Sequence, residues 1–219
     1  MPRQLRLELS SQRAFSRDDF VVSDSNREAL AILDLWPAWH GGCLALVGPE
    51  ATGKTHLARA WAAQVCAVEL DPASTDIAAA RGGPMLMENA DRADSETLFH
   101  LINMAAAAGG LLLTSRQRPR AWPASVPDLR SRLNALATAE LGEPDDAVLE
   151  GVLRKLFRER SIRPADDVYP YLMRRIERSV PAARTVVERI DETAGAESRE
   201  ITRTLARQIL ESAGPPDAA

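Results

Sequence analysis

From residue 43 onward the chain alternates between two hydrophobic rhythms. Short apolar runs read as buried strands, and longer stretches with apolar residues every three or four positions read as amphipathic helices. "CLALV" (43–47) is the first strand, and "KTHLARAWAAQV" (54–65) is a helix with Leu57, Ala60, Trp61 and Val65 on one stripe. "CAVEL" (66–70) and "PMLMEN" (84–89) give the second and third strands. "SETLFHLINMAAAA" (95–108) is a helix that starts at Asp94 or Ser95 and stops at Gly109-Gly110. "LLLTS" (111–115) is the fourth strand, and "LNALATAEL" (133–141) holds a fifth, with a polar loop before it. Alternation of this kind predicts an α/β fold: a parallel sheet with helices on both faces.

The rhythm changes at "GEPDD" (142–146), after which every segment reads as helix: 145–160, 165–178, 182–194 and 201–212. Pro164 and Pro181 punctuate them, and "GPPDAA" closes the chain without a pattern. Three parts are therefore expected: a tail over 1–14, an α/β part over 15–141 and a small all-helical part over 142–219.

Composition narrows the picture. Hydrophobic residues make up 45% of the 219, enough for a real core. The net charge of −4 argues against a broad, autonomous nucleic-acid-binding surface. Cys43 and Cys66 both sit in apolar runs and read as small core residues rather than a disulfide or ligand pair. With no apolar leader and no apolar run of membrane-spanning length, the expected setting is the cytoplasm, without membrane contact.

"GPEATGKT" carries the chemistry. Gly48, Pro49, Glu50, Ala51, Thr52, Gly53, Lys54 and Thr55 fit G-x-x-x-x-G-K-[ST] between a strand and a helix. The glycines let backbone N–H groups wrap a phosphate at a helix N-terminus. Lys54 would meet the β-phosphate of ADP, or the β- and γ-phosphates of ATP, and Thr55 would ligate Mg²⁺. Glu88, at the end of "PMLMEN", is the candidate carboxylate on the metal side, direct or through water. The next residue, Asn89, stands where a hydrolase would carry a second carboxylate. An amide cannot take a proton from water. Thr114, with Ser115 behind it, ends the fourth strand where a hydroxyl can meet the attacking water or the γ-phosphate. His56 follows the loop and reads as packing beside the nucleotide rather than as a catalyst.

With these residues in place, the sequence resembles the DnaA clade of AAA+ ATPases from about Phe15 to Leu210. "FVVSDSN" (20–26), with Val22 and Asn26, resembles the stretch that helps hold adenine in that family. "LLLTSRQRPRAW" resembles its T-S-D-R-x-P segment. "VPDLRSRL" (126–133) resembles the segment with its arginine finger, which makes Arg132 the candidate, with Arg130 next. "ARTVVERID" (183–191) resembles the lid helix whose arginine senses nucleotide, which points to Arg184, with Arg174, Arg175 and Arg178 as alternatives. The resemblance implies an AAA+ sheet followed by a helical lid.

Within the clade the likeness leans toward the Hda-type regulators. No helix-turn-helix domain follows the lid, and "DPASTDIAAARGG" is short where an initiator carries extra helices. The tail "QLRLEL" resembles a sliding-clamp-binding peptide, through Gln4, Leu5, Leu7 and Leu9, although Arg6 and Glu8 depart from it. An extended peptide of this kind places leucines in a cleft while the glutamine gives directional hydrogen bonds. The same alternation also suits an edge strand. The resemblance implies a negative regulator of chromosome replication initiation, tethered to the DNA polymerase III beta sliding clamp and so to DNA only indirectly. Its partner would be DnaA, whose ATP hydrolysis it would stimulate in trans, with weak turnover of its own. The alternatives are an autonomous ATPase such as a helicase loader, or a nucleotide-binding scaffold on the clamp.

Overall fold

The computed structural model describes residues 15–197 and 201–212. Five parallel strands form one sheet in the order β2-β3-β4-β1-β5. They are β1 (Cys43–Val47), β2 (Val68–Leu70), β3 (Met85–Met87), β4 (Leu111–Ser115) and β5 (Thr138–Glu140). The α/β architecture is the one the alternation predicts. Side chains alternate along β1, so its two faces feed two cores. Leu44 and Leu46 pack with Leu57 and Trp61, whereas Cys43, Ala45 and Val47 pack with Leu98, Leu101, Leu129 and Leu133. Helices α1 (Arg27–Leu33) and α2 (Lys54–Val65) thus cover one face. Helices α3 (Ser95–Ala108) and α4 (Pro127–Ala135) cover the other.

The helical part holds α5 (Asp146–Glu159), α6 (Val168–Met173), α7 (Val180–Glu197) and α8 (Arg203–Ser212) around its own apolar cluster, centred on Leu153, Phe157, Leu172, Val187 and Leu205. Among the described residues, polar ties and a close contact join it to the α/β part. Asp145 caps α5 by accepting the Val148 N–H at 2.8 Å, and also accepts the Ser25 N–H at 3.4 Å. Lys155 bridges to the Asp19 carboxylate at 3.1 Å. Gly151 allows α5 to lie against Val21, because a Cβ there would stand 2.6 Å from a Val21 methyl.

The structure departs from the sequence expectations in four places. The polar loop expected before β5 contains α4, so Arg132 is helical; Pro127 starts that helix and Leu129 and Leu133 anchor it. α6 is much shorter than 165–178: a turn at 166–167 delays its start to Val168, and it ends at Met173 with Arg174 as its C-cap. β2 begins at Val68 because Cys66 ends α2 in a left-handed conformation (φ 53°). Cys66 is therefore exposed, not a core residue, whereas burial pushes the Cys43 thiol up to about 12. No helix among the described residues is long and apolar enough to cross a membrane.

Candidate nucleotide-binding site

The loop from Gly48 to Gly53 joins the end of β1 to the start of α2. Gly48 (φ 152°), Ala51 (φ 62°) and Gly53 (φ 96°) turn the backbone through conformations that side chains resist. At Gly53 there is also no room, since a Cβ would come within 2.8 Å of the Phe20 ring. Thr52 is buried and donates to Pro49 O at 3.0 Å, which holds the loop closed on itself. The Lys54 ammonium donates to Gly48 O at 2.8 Å and Pro49 O at 2.6 Å. Burial, and then the charge of Arg116, hold Lys54 below the usual lysine pKa, against the pull of Glu50 and Glu88.

The Thr55 hydroxyl donates to Glu88 Oε2 at 2.5 Å, so the two oxygens meet at the mouth of the loop. Glu88 Oε1 takes the Arg59 Nε–H at 2.9 Å. No cluster of three His, Cys, Asp or Glu exists among the described residues. A hydroxyl and one carboxylate suit Mg²⁺, a hard cation that usually keeps waters and takes further oxygens from bound phosphates. The residues therefore fit the metal, and Thr55 and Glu88 are the candidate protein ligands. Asn89 follows in a left-handed conformation (φ 55°), its N–H given to the buried Thr114 Oγ1 at 3.2 Å. Thr114 thus sits against the turn after β3, and Ser115 Oγ accepts the Gln117 N–H at 3.1 Å.

Beside the loop a cavity of about 520 Å³ opens between the sheet part and the helical part. Its walls include Phe20, Val21, Thr52, Gly53 and His56 on one side and Val148, Val152, Leu156, Val180 and Arg184 on the other. Size and apolar lining with a few polar groups suit a nucleoside. His56 is a wall rather than a reagent: its Nε2 lies 2.9 Å from Ser16 O, and its ring packs on Phe15 and Phe20.

Two sequence candidates for this pocket have other duties. Val22 is 49% exposed, and Val21 faces the cavity instead; neighbours in extended chain point opposite ways. Asn26 is buried, but its side-chain amide donates to Val21 O and accepts the Ser23 N–H, both at 3.0 Å. It shapes the segment that carries Val21. Of the four arginines offered for the nucleotide-facing role, Arg184 lines the cavity. Arg175 stacks on Tyr171, Arg178 pairs with Asp146 at 2.9 Å, and Arg174 caps α6. Sequence reasoning did not single out Arg59 or Lys155. Arg59 lies one helical turn after Thr55, a spacing that could have revealed it. Lys155 had no local signal.

Arg132 lies on α4, across the sheet from α2. It is exposed, with its guanidinium 5.6 Å over the Phe99 ring. Arg130 is committed within the fold, donating to Arg120 O and Trp122 O, both at 2.8 Å. Gln4, Leu5, Leu7 and Leu9 lie outside the described residues.

No family model matches the chain. It is 29% identical over 119 residues to the chromosomal replication initiator protein DnaA of Thermomicrobium roseum, covering 52% of this chain and 25% of that protein. It is 25% identical to DnaA of Symbiobacterium thermophilum, covering 92% of this chain and 51% of that protein. The chain thus spans a quarter to about half the length of these curated relatives. Among solved structures it is similar to domain III of the Thermotoga maritima replication initiation protein DnaA, with a TM-score of 0.72 at 16% identity, covering 91% of this chain and 97% of that one. The fold, with its strand order and trailing helices, is that of AAA+ proteins, and the chain is DnaA-like in sequence.

Proposed function

We propose that this DnaA-like chain is a nucleotide-bound regulator of chromosome replication initiation that acts on the ATPase site of DnaA. The sliding clamp would tether it through Gln4, Leu5, Leu7 and Leu9, and it would present Arg132 to ATP held by DnaA. The observation that carries this reading is the placement of Arg132. The side chain is exposed on α4, with no carboxylate bonded to it among the described residues, and on the sheet face opposite α2, the helix that follows its own phosphate loop. Such an arginine suits a neighbour's nucleotide better than its own. A guanidinium set against charge that builds on a transferring phosphoryl group is worth roughly 10³–10⁵ in rate in other nucleotide hydrolases.

The chain's own site is built to hold rather than to turn over. The loop N–H groups and Lys54 bind the phosphates, and Thr55 and Glu88 hold Mg²⁺. That ion, when bound, neutralises phosphate charge. Phe20, Val21 and Val148 enclose the base, and Arg184 approaches from α7, so the nucleotide joins the α/β part to the helical part. Asn89 leaves the water without a base at the usual place. Nucleotide then works as a structural ligand that fixes how the two parts sit, and the hydrolysis that matters occurs in the partner.

The test is hydrolysis of DnaA-bound ATP, with clamp loaded on DNA, with and without this protein. Faster conversion to ADP is the expected result. Clamp binding without acceleration would favour the scaffold, and rapid turnover by the chain alone would favour an autonomous motor.

A further inference from the structure

Glu88 has one methylene more than an aspartate, and so one more bond about which its carboxylate can turn. Helix α2 meets that carboxylate with two residues from one face. Thr55 and Arg59 stand four apart, so their side chains are neighbours on the helix surface. The Thr55 hydroxyl donates to Oε2 and the Arg59 Nε–H donates to Oε1 at 2.9 Å. One donor on each oxygen fixes the plane of the group.

Arg59 is itself held from another side. Its guanidinium carbon lies 5.4 Å from the centre of the Phe15 ring, within cation–π range. Phe15 in turn meets the His56 ring edge-on at 5.5 Å and lines the cavity beside the loop. Contacts therefore run from the cavity wall at Phe15 through Arg59 to Glu88. The Arg59–Glu88 pair adds little to stability, because its side chains are 42% and 21% exposed. Its consequence is orientation.

We propose that Arg59 and Phe15 are positioning residues for the metal carboxylate. Arg59 holds Glu88 Oε1 so that Oε2 stays beside Thr55, and the Phe15 ring keeps the guanidinium in place. Mg²⁺ demands strict geometry, so a carboxylate ordered in advance serves it better than one that must first be ordered. Groups that hydrogen-bond a metal's ligands raise metal affinity in this way. The guanidinium charge opposes the ion, but water screens an arginine this open, and orientation outweighs the repulsion. This inference rests on the reading of Thr55 and Glu88 as magnesium ligands and deepens it, by adding two residues that touch neither metal nor phosphate.

The experiment is two calorimetric titrations of the full chain: ADP without metal, then Mg²⁺ into the chain–ADP complex. Arg59→Ala should weaken Mg²⁺ about tenfold and leave metal-free ADP affinity within about twofold, which also reports a folded variant. Phe15→Leu should weaken Mg²⁺ about threefold, the worth of an open cation–π contact, and Phe15→Tyr should restore it. In the Arg59→Ala background Phe15→Leu should change Mg²⁺ affinity no further, because the ring acts through the guanidinium. Unchanged or tighter Mg²⁺ binding by Arg59→Ala, or a Phe15→Leu effect that persists without Arg59, would overturn the proposal. A wild-type complex that binds ADP but takes up no Mg²⁺ would instead overturn the reading of Thr55 and Glu88 beneath it, and the proposal with it.

Discussion

At the scale of single residues, the account turns on which side chains are free and which are committed. Lys54 is the residue proposed to meet phosphate, and its ammonium donates to loop carbonyls that a bound nucleotide would relieve. Lys54→Ala should therefore bind ADP and ATP far more weakly, by calorimetry; unchanged affinities would remove the site from this loop. Asn89 gives the second expectation. Its side chain cannot act as a base, and its backbone is held by Thr114. Turnover by the isolated chain should stay well below the ~1–100 s⁻¹ of efficient phosphoryl-transfer enzymes. A steady-state phosphate-release assay decides this. The phosphate loop was legible in the sequence because its chemistry lies in eight consecutive residues. The cavity beside it was not, because its walls come from segments far apart in the chain. The Val21–Val22 pair shows the difference most plainly: a one-residue phase decides which valine faces the ligand, and only the fold sets that phase.

At the scale of elements, the residues best read from sequence are those with strong periodicity and clear stops. α2 and α3 span the predicted 54–65 and 95–108, since each has a continuous apolar stripe and α3 has Asp94 as its cap. α4 was missed because its anchors are only Leu129 and Leu133 amid charged residues. α6 was overextended because no local signal marks the turn before Val168 or the stop after Met173. Asp145 offers a test at this scale. Burial alone would raise its pKa, but hydrogen bonds from Val148, Ser23 and Ser25 outweigh it and hold the carboxyl below its ordinary value. A lowered folded pKa gives stability that is present above the unfolded value of about 3.9 and lost as pH falls through the folded value. Asp145→Ala should cost about 1 kcal/mol at pH 7, typical of a lost N-cap. In a chain of this size that is about 2–4 °C in Tm. The gap from wild type should narrow below about pH 4. A gap as large at pH 3 as at pH 7 would contradict the assignment.

At the scale of the whole molecule, the proposal needs three surfaces to work independently: a tail for the clamp, a cleft for nucleotide and α4 for the partner. Replacing Gln4, Leu5 and Leu7 together with Ala should abolish clamp pull-down and leave nucleotide affinity unchanged; persistent clamp binding would place the contact elsewhere. The sheet and the helical part were visible in the change of hydrophobic rhythm at residue 142. The opposition of α4 and α2 across the sheet was not, and the trans assignment rests on it. Arg132→Ala is its most direct test. Arg130→Ala makes a poor control, because Arg130 holds the backbone at Arg120 and Trp122. Arg120→Ala, on an exposed side chain, serves better. The decisive measurement is the rate of hydrolysis of DnaA-bound ATP, with clamp on DNA, in the presence of wild type, Arg132→Ala or Arg120→Ala. The account predicts that Arg132→Ala folds, binds nucleotide and clamp, and loses the acceleration, by roughly 10³-fold or more if the finger is fully engaged, while Arg120→Ala keeps it. Full acceleration by Arg132→Ala, or equal loss in both variants, would contradict it.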